Sequence, residues 1–525
     1  MVRLDGSHLN INDVVNVARH YQRVELSDEA RQNILRSQKW LNDIAAADLP
    51  VYGINTGFGI FAEHRIPRKE MAALSRNLIL SHAVGTGPAL PVEVVRAAML
   101  VRANTLAKGF SGVRVEIVET LLAMLNLDLT PVVPCQGSLG SSGDLGPLSH
   151  LALVFTTDHS DQEDRGDLDE VSGLAEYQGQ VMTGKAAMAA AGIKRIELGP
   201  KEGLALNNGA TFSAALAALA VYDAGLLLST AELSTAMSLE AMLGTTAAFD
   251  DRLHQARGQA GQIQVARRVC QLIEGSTLTD ATGRVQDAYS LRCAPQVQGA
   301  ARDTLNFVAG MILNELNAAT DNPLLLGPGE ARSGGNFHGE PVGLAMDFLS
   351  IAMAEVGAIS ERRTFRLIDA KLNRGLPPML VDNFQDAGLN SGLMMPQYTA
   401  AALVLENQTL ATPDSVHSLP TSAEQEDHNA NSMTAARHTR QILENVAHIL
   451  AIEIYTAVRA LDLRLRQMPE ARMGSGTADA YRTVRKIVPY IAGDSWWGPE
   501  IERVHRLVSQ GALVGSQGAQ PGRQN

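Results

Sequence analysis

The sequence predicts a mainly α protein, a subunit built on a long-helix bundle with a smaller, loop-rich N-terminal region. Three observations carry this. Only 4% of the 525 residues are aromatic, whereas strands favour aromatic and β-branched side chains. Residues 433 to 466 contain no glycine or proline, and Ile442, Val446, Ile449, Ile452, Tyr455 and Val458 recur at spacings of three and four, the period of one helix face. Strand-like alternation is weak along the whole chain. Length alone suggests roughly three domains, or one large subunit with a lobed core. We expect a region over 1–200, a long-helix bundle over 201–510 and a disordered tail over 511–525.

The first 200 residues are the most broken. "VYGINTGFGIFAEHRIP" at 51–67 and "GSLGSSGDLGPLSH" at 137–150 are Gly-rich loops, since glycine supplies turns that need positive φ. Seven carboxylates between 158 and 170, in "DHSDQEDRGDLDE", read as a solvated surface loop. Residues 203–222 run twenty residues without a charge, but Asp223, Glu232 and Glu240 follow closely. Carboxylates at that density are costly in lipid, so the stretch predicts a buried helix and no membrane span. Helices are expected over 212–243 and 341–369, the second entered through Pro341, where a missing N–H costs nothing. Pro469 ends the run that starts at 433.

Charge and cysteine usage exclude some functions. A formal charge of -12 with pI near 5.6 repels nucleic acid and anionic membranes. Cys135, Cys270 and Cys293 are too few and too scattered for a disulfide framework or a metal knuckle. The N-terminus has no apolar signal core, and the setting expected is cytoplasmic.

The loop at 137–150 spaces glycine every third residue around Ser141-Ser142-Gly143. A Walker lysine is missing, and G-x-G-x-x-G is not present. A nucleophile elbow fails because Asp144 stands two residues after Ser142. A plain tight turn is one reading. The other is backbone chemistry that an X-Ser-Gly order permits. The Gly143 nitrogen attacks the Ser141 carbonyl carbon, and loss of water with dehydration of Ser142 leaves an exocyclic methylidene. Such a product is an electrophile that no ordinary side chain supplies.

This loop resembles the signature of the aromatic amino acid ammonia-lyase and aminomutase family, whose members build a 4-methylideneimidazol-5-one (MIO) group from their own backbone. The commonest triplet there is Ala-Ser-Gly; this chain has serine first. "VYGINTGFG", "NLILSHAVGTG", "KEGLALNNGAT", "VQDAYSLRCAPQVQGA", "NFHGEP" and "SLPTSAEQEDH" resemble further blocks in the family's order, covering about residues 5 to 505. The resemblance implies a cofactor made from Ser141-Ser142-Gly143 and loss of ammonia from an aromatic L-amino acid. It assigns the β-proton to Tyr52, contact with the MIO and amine to Tyr289, and the substrate carboxylate to Arg292. Asn208 and Gln286 supply amide hydrogen bonds, and Phe337 packs beside the ring. The free tyrosine pKa near 10 means that a base at neutral pH needs a positive field. A bidentate guanidinium suits a planar carboxylate.

Two positions bear on the substrate. His82 sits where phenylalanine lyases tend to be apolar and where tyrosine-selective members can also use histidine, and Glu426 matches the acidic residue of histidine lyases. A carboxylate can accept an imidazole N–H but offers a phenyl ring nothing. Histidine is therefore the leading substrate, giving urocanate and ammonia. "NANSM", after His428, resembles the phenylalanine type and keeps tyrosine or phenylalanine lyase, or a 2,3-aminomutase, as the alternative. A non-catalytic helical scaffold is the rival of a different class. A metal site at "QEDH" lacks a spaced His/Cys set, so no metal is expected. The resemblance further implies a homotetramer with shared active sites.

Overall fold

The computed structural model describes residues 1–46, 50–158 and 171–514. It is 59% helix and 8% strand, and no strand among the described residues exceeds four residues. The long helices stand where periodicity puts them, at Thr211–Ala241, Glu340–Ile368 and Ser432–Gln467. Another, Ala294–Leu316, adds 23 residues. The acidic loop at 158–170 lies outside the described residues except for Asp158, which pairs with Arg76 at 3.9 Å. The tail beyond 514 also lies outside them.

The chain divides into two compact units, each assembled from separate segments. One comprises Met1–Leu219, Gly310–Asp347 and Pro413–Arg437; the other comprises Ala220–Ala309, Phe348–Thr412 and the chain from His438 on. The sequence reading divides the chain linearly near residue 200. Contacts group it by segments far apart in sequence instead.

In the first unit, helix Val92–Ala107 is buried along nearly its whole length, including Arg96 and Arg102. A buried guanidinium must be hydrogen-bonded to be tolerated. Arg102 donates to the carbonyls of Ala205 and Asn208, the latter at 2.7 Å. Burial pulls it down to about 10, with Asp321 and Asp144 opposing. Lys201 pairs with Asp321 in the same buried layer. These bonds hold the end of helix Glu202–Asn207, and hence Asn208, in place.

Two helices are long and apolar enough to cross a membrane, Thr211–Ala241 and Glu340–Ile368, and their most apolar windows are 89% and 67% buried within the protein. The acidic residues in the first have partners in the second unit. Glu232 pairs with Arg302, and Glu240 accepts the Gly474 amide at 2.6 Å. At its centre Glu453, fully buried, takes Arg363 Nε at 2.6 Å and hydroxyls from Ser234, Ser238 and Ser360 at 2.9, 2.7 and 2.6 Å.

Candidate active site

The loop at 137–150 is a turn held against a second turn. Gly143 has φ +77°, and a Cβ there would lie 2.0 Å from the Gly209 carbonyl carbon. Only glycine allows that approach. The two strands of chain form a parallel bridge: the Gly209 amide donates to Ser142 O at 3.1 Å, and the Asp144 amide to Gly209 O at 2.9 Å. Asn208 Nδ2 also donates to Ser142 O, at 3.2 Å. Gly209 itself has φ +120° and stands against Thr320.

Asp144 anchors the turn from behind. Fully buried, it accepts the Ser138 hydroxyl at 2.7 Å, and the Ser213 amide and hydroxyl at 2.8 and 2.9 Å. Ser213 opens helix Thr211–Ala241, whose N-terminal amides favour a carboxylate. Burial nevertheless pushes Asp144 above the usual carboxylate range, while these hydrogen bonds oppose it.

Glu426 meets the triplet from the other side. The Ser141 hydroxyl donates to its Oε2 at 2.7 Å, and the Ser142 hydroxyl to its Oε1 at 2.9 Å. A short bridge with Thr421 fixes its backbone, Thr421 N to Glu426 O at 2.8 Å and Glu426 N to Thr421 O at 3.2 Å.

Two cavities, of about 840 and 740 Å³, flank this point, and Tyr52, Ser142, Asn208 and Glu426 line both. His82 joins the first and Phe337 the second. Tyr52 comes from the 51–67 loop. Burial pushes its phenol up; the Gly59 amide pulls down and the Glu426 charge adds to the rise. The positive field that a tyrosine base needs is therefore not supplied by this set. Burial pushes the His82 imidazole down, against the Leu78 backbone and the Glu426 charge. Its Nδ1 contacts Ser81 Oγ at 2.9 Å.

Eight of the expected site residues thus converge: Tyr52, His82, the 141–143 triplet, Asn208, Phe337 and Glu426. Gln286, Tyr289 and Arg292 belong to the second unit, and none of them lines these cavities. Tyr289 and Arg292 do share a helical turn, with the guanidinium carbon 4.7 Å from the ring centre. Tyr289 is 71% exposed, and Arg292 Nε is buried without a hydrogen-bond partner.

Sequence reading missed Gly209, although its place in "NNG" is a turn signal. It also missed the bond from Ser141 to Glu426 and the His338–His428 stack at 5.8 Å in the second cavity; no local pattern announces either. Within "QEDH", Glu426 binds serines and His428 stacks. Among the described residues the cluster spaced for a metal lies elsewhere, at Glu444, His448 and His505.

The residues present fit an MIO group. Such a ring keeps the Ser142 carbonyl oxygen, and the Asn208 and Gly209 donors already point at it. Asn208 Oδ1 is buried with no partner. No residue with a β-carbon could occupy position 143.

Residues 9–486 match the family model for aromatic amino acid lyases. The histidine ammonia-lyase of Caldanaerobacter subterraneus subsp. tengcongensis is 48% identical over 515 residues, 98% of this chain and 97% of the relative. The crystal structure of histidine ammonia-lyase from Trypanosoma cruzi superposes with a TM-score of 0.87 at 38% identity, covering 98% and 94% of the two chains. Tyrosine aminomutase from Streptomyces globisporus superposes with a TM-score of 0.90 at 34% identity, covering 100% and 99%.

Proposed function

Because the chain belongs to the aromatic amino acid lyase family, we propose that it converts L-histidine to urocanate and ammonia on an MIO group formed from Ser141-Ser142-Gly143. It is a carbon–nitrogen lyase. The reaction breaks the Cα–N bond and one Cβ–H bond, and leaves a carbon–carbon double bond. When formed, the MIO group supplies an electrophilic carbon that makes the amine a better leaving group. The chain's own residues do the rest. Asn208 and the Gly209 amide hold the oxygen that becomes the ring carbonyl, and Tyr52 takes the β-proton. Glu426 accepts the imidazole N–H and stabilises positive charge on the ring, with His82 as a polar wall beside it.

The observation that carries histidine is Glu426, a carboxylate held at the triplet and lining the same cavity as Tyr52 and His82. Histidine ammonia-lyases are 48% and 46% identical over nearly the full length of this chain, against 34% for the tyrosine aminomutase, so the phenylalanine, tyrosine and aminomutase alternatives are not favoured. The scaffold reading is not favoured either. Gln286, Tyr289 and Arg292 enter the site from neighbouring subunits of a homotetramer, an assembly that also brings the positive field Tyr52 needs. High exposure of Val285 (93%) and Tyr289 supports this, because large exposed apolar side chains mark contact surfaces. The three cysteines are free, which suits a cytoplasmic setting.

The test is to offer L-histidine, L-tyrosine and L-phenylalanine in parallel and identify the products. Urocanate with an equal yield of ammonia is expected. Turnover of tyrosine or phenylalanine alone, or a β-amino acid product, overturns the reading.

A further inference from the structure

We infer that Ser141 is a positioning residue for Glu426 in the mature protein, holding the carboxylate toward the imidazole of an imidazole-bearing substrate. The inference rests on the proposed ring-forming triplet and on histidine as substrate. It begins with the two hydroxyls on one carboxylate, Ser141 Oγ on Oε2 at 2.7 Å and Ser142 Oγ on Oε1 at 2.9 Å. Ring formation treats these two serines differently. Closing the ring joins Gly143 N to Ser141 C; the Ser141 carbonyl oxygen leaves as water with the Gly143 and Ser142 amide protons. Dehydration then breaks the Ser142 Cα–H and Cβ–Oγ bonds, forms the Cα–Cβ double bond and releases a second water. The Ser142 hydroxyl is consumed. The Ser141 hydroxyl takes no part, because the ring uses only its carbonyl carbon.

After maturation Ser141 is therefore the member of this pair that still holds Glu426. Its side chain is nearly buried, at 7% exposure, so water competes poorly for the bond. A hydrogen bond to an ionised carboxylate is among the stronger neutral-to-charged contacts. The Thr421 bridge fixes the Glu426 backbone but leaves the side-chain torsions free. Ser141 restrains those torsions from the triplet itself, tying the carboxylate to the place where the amine reacts. Alanine at 141 would have no such donor. This chain carries an additional restraint on the group that reads the substrate ring.

The experiment compares wild type, Ser141→Ala, Ser141→Thr, Glu426→Gln and the double variant Ser141→Ala/Glu426→Gln. Intact mass is measured on each. Equilibrium affinities are measured for urocanate, which presents an imidazole, and cinnamate, which presents a phenyl ring. Ser141→Ala is expected to lose both waters as wild type does, yet to bind urocanate roughly 10- to 100-fold more weakly, the range for a hydrogen bond to a charged group. Cinnamate affinity should stay within about twofold, since a phenyl ring makes no use of the carboxylate. Ser141→Thr should restore urocanate binding. The double variant should bind urocanate no more weakly than Glu426→Gln, because the serine acts through that carboxylate.

Unchanged urocanate affinity in Ser141→Ala overturns the inference, as does an equal loss for both ligands or an additive double variant. Retention of either water in Ser141→Ala overturns it too, placing the serine in ring formation. If Ser141→Ala does not fold, wild-type urocanate affinity in Ser141→Thr supports the role and a loss there overturns it. A wild type that keeps both waters sinks the cofactor reading itself, a different failure visible in the mass alone.

Discussion

Ser142 is the residue whose replacement separates a self-made electrophile from an ordinary turn. The mature chain should be lighter than its sequence by two waters, with the loss mapped to the peptide holding 141–143. Ser142→Ala should restore at least one of them and remove nearly all activity. Borohydride or cyanide should inactivate the wild type, with substrate protecting it, while chelators have little effect. In the proposed reaction Glu426 is the residue that reads the substrate ring. Glu426→Ala should lower histidine turnover by roughly 10²- to 10⁴-fold, the range for a group that moves or stabilises a proton in the transition state. Any phenylalanine turnover should fall much less, and His82→Phe should shift preference toward phenylalanine. Equal losses for both amino acids in Glu426→Ala would mean that the carboxylate supports the fold of the pocket and does not read the ring.

At the scale of elements, the long helices are tied by buried polar groups that hydrophobic periodicity does not announce. Glu453 and Arg363 are both fully buried and directly paired, with three serine hydroxyls completing the carboxylate's partners. Breaking such a pair from one side leaves an uncompensated buried charge. Glu453→Ala should cost about 3–5 kcal/mol in urea unfolding, whereas a paired Glu453→Met/Arg363→Leu replacement should cost much less. A drop of under about 1 kcal/mol for the single change would show that water reaches the guanidinium. The limits of the long helices were legible because an apolar face and a proline stop are local features. The short strands, of two to four residues, were not: apart from the hairpins at 174–183 and 324–332, their pairings are set by partners far along the chain.

At the scale of the whole molecule, the homotetramer proposal makes a prediction that neither unit makes alone. Tyr52→Phe and Arg292→Ala should each abolish histidine turnover. If active sites draw Arg292 from a neighbouring subunit, co-expressing the two inactive variants should restore measurable activity, since some sites in mixed oligomers then receive intact copies of both residues. Silence in mixed oligomers, verified by mass, would mean that both residues serve a site from the same chain.

The sequence by itself determined the class of fold and the extent of the long helices, and it singled out the triplet proposed to react. Each of these is written in local order: a period of three to four, a proline, or three consecutive residues whose amide and carbonyl can react. It also named Tyr52, His82, Asn208 and Glu426, through block resemblance. Tertiary structure decided what these residues do to one another. It placed Glu426 on both serines, although 284 and 285 positions of chain separate them, and it set Gly209 against Gly143 so closely that no β-carbon fits at 143. It also made the Tyr52 phenol harder to deprotonate within its own unit, chiefly by burial and further by the Glu426 charge. Proximity across the fold follows from packing, and no spacing along the chain encodes the field that one buried group exerts on another.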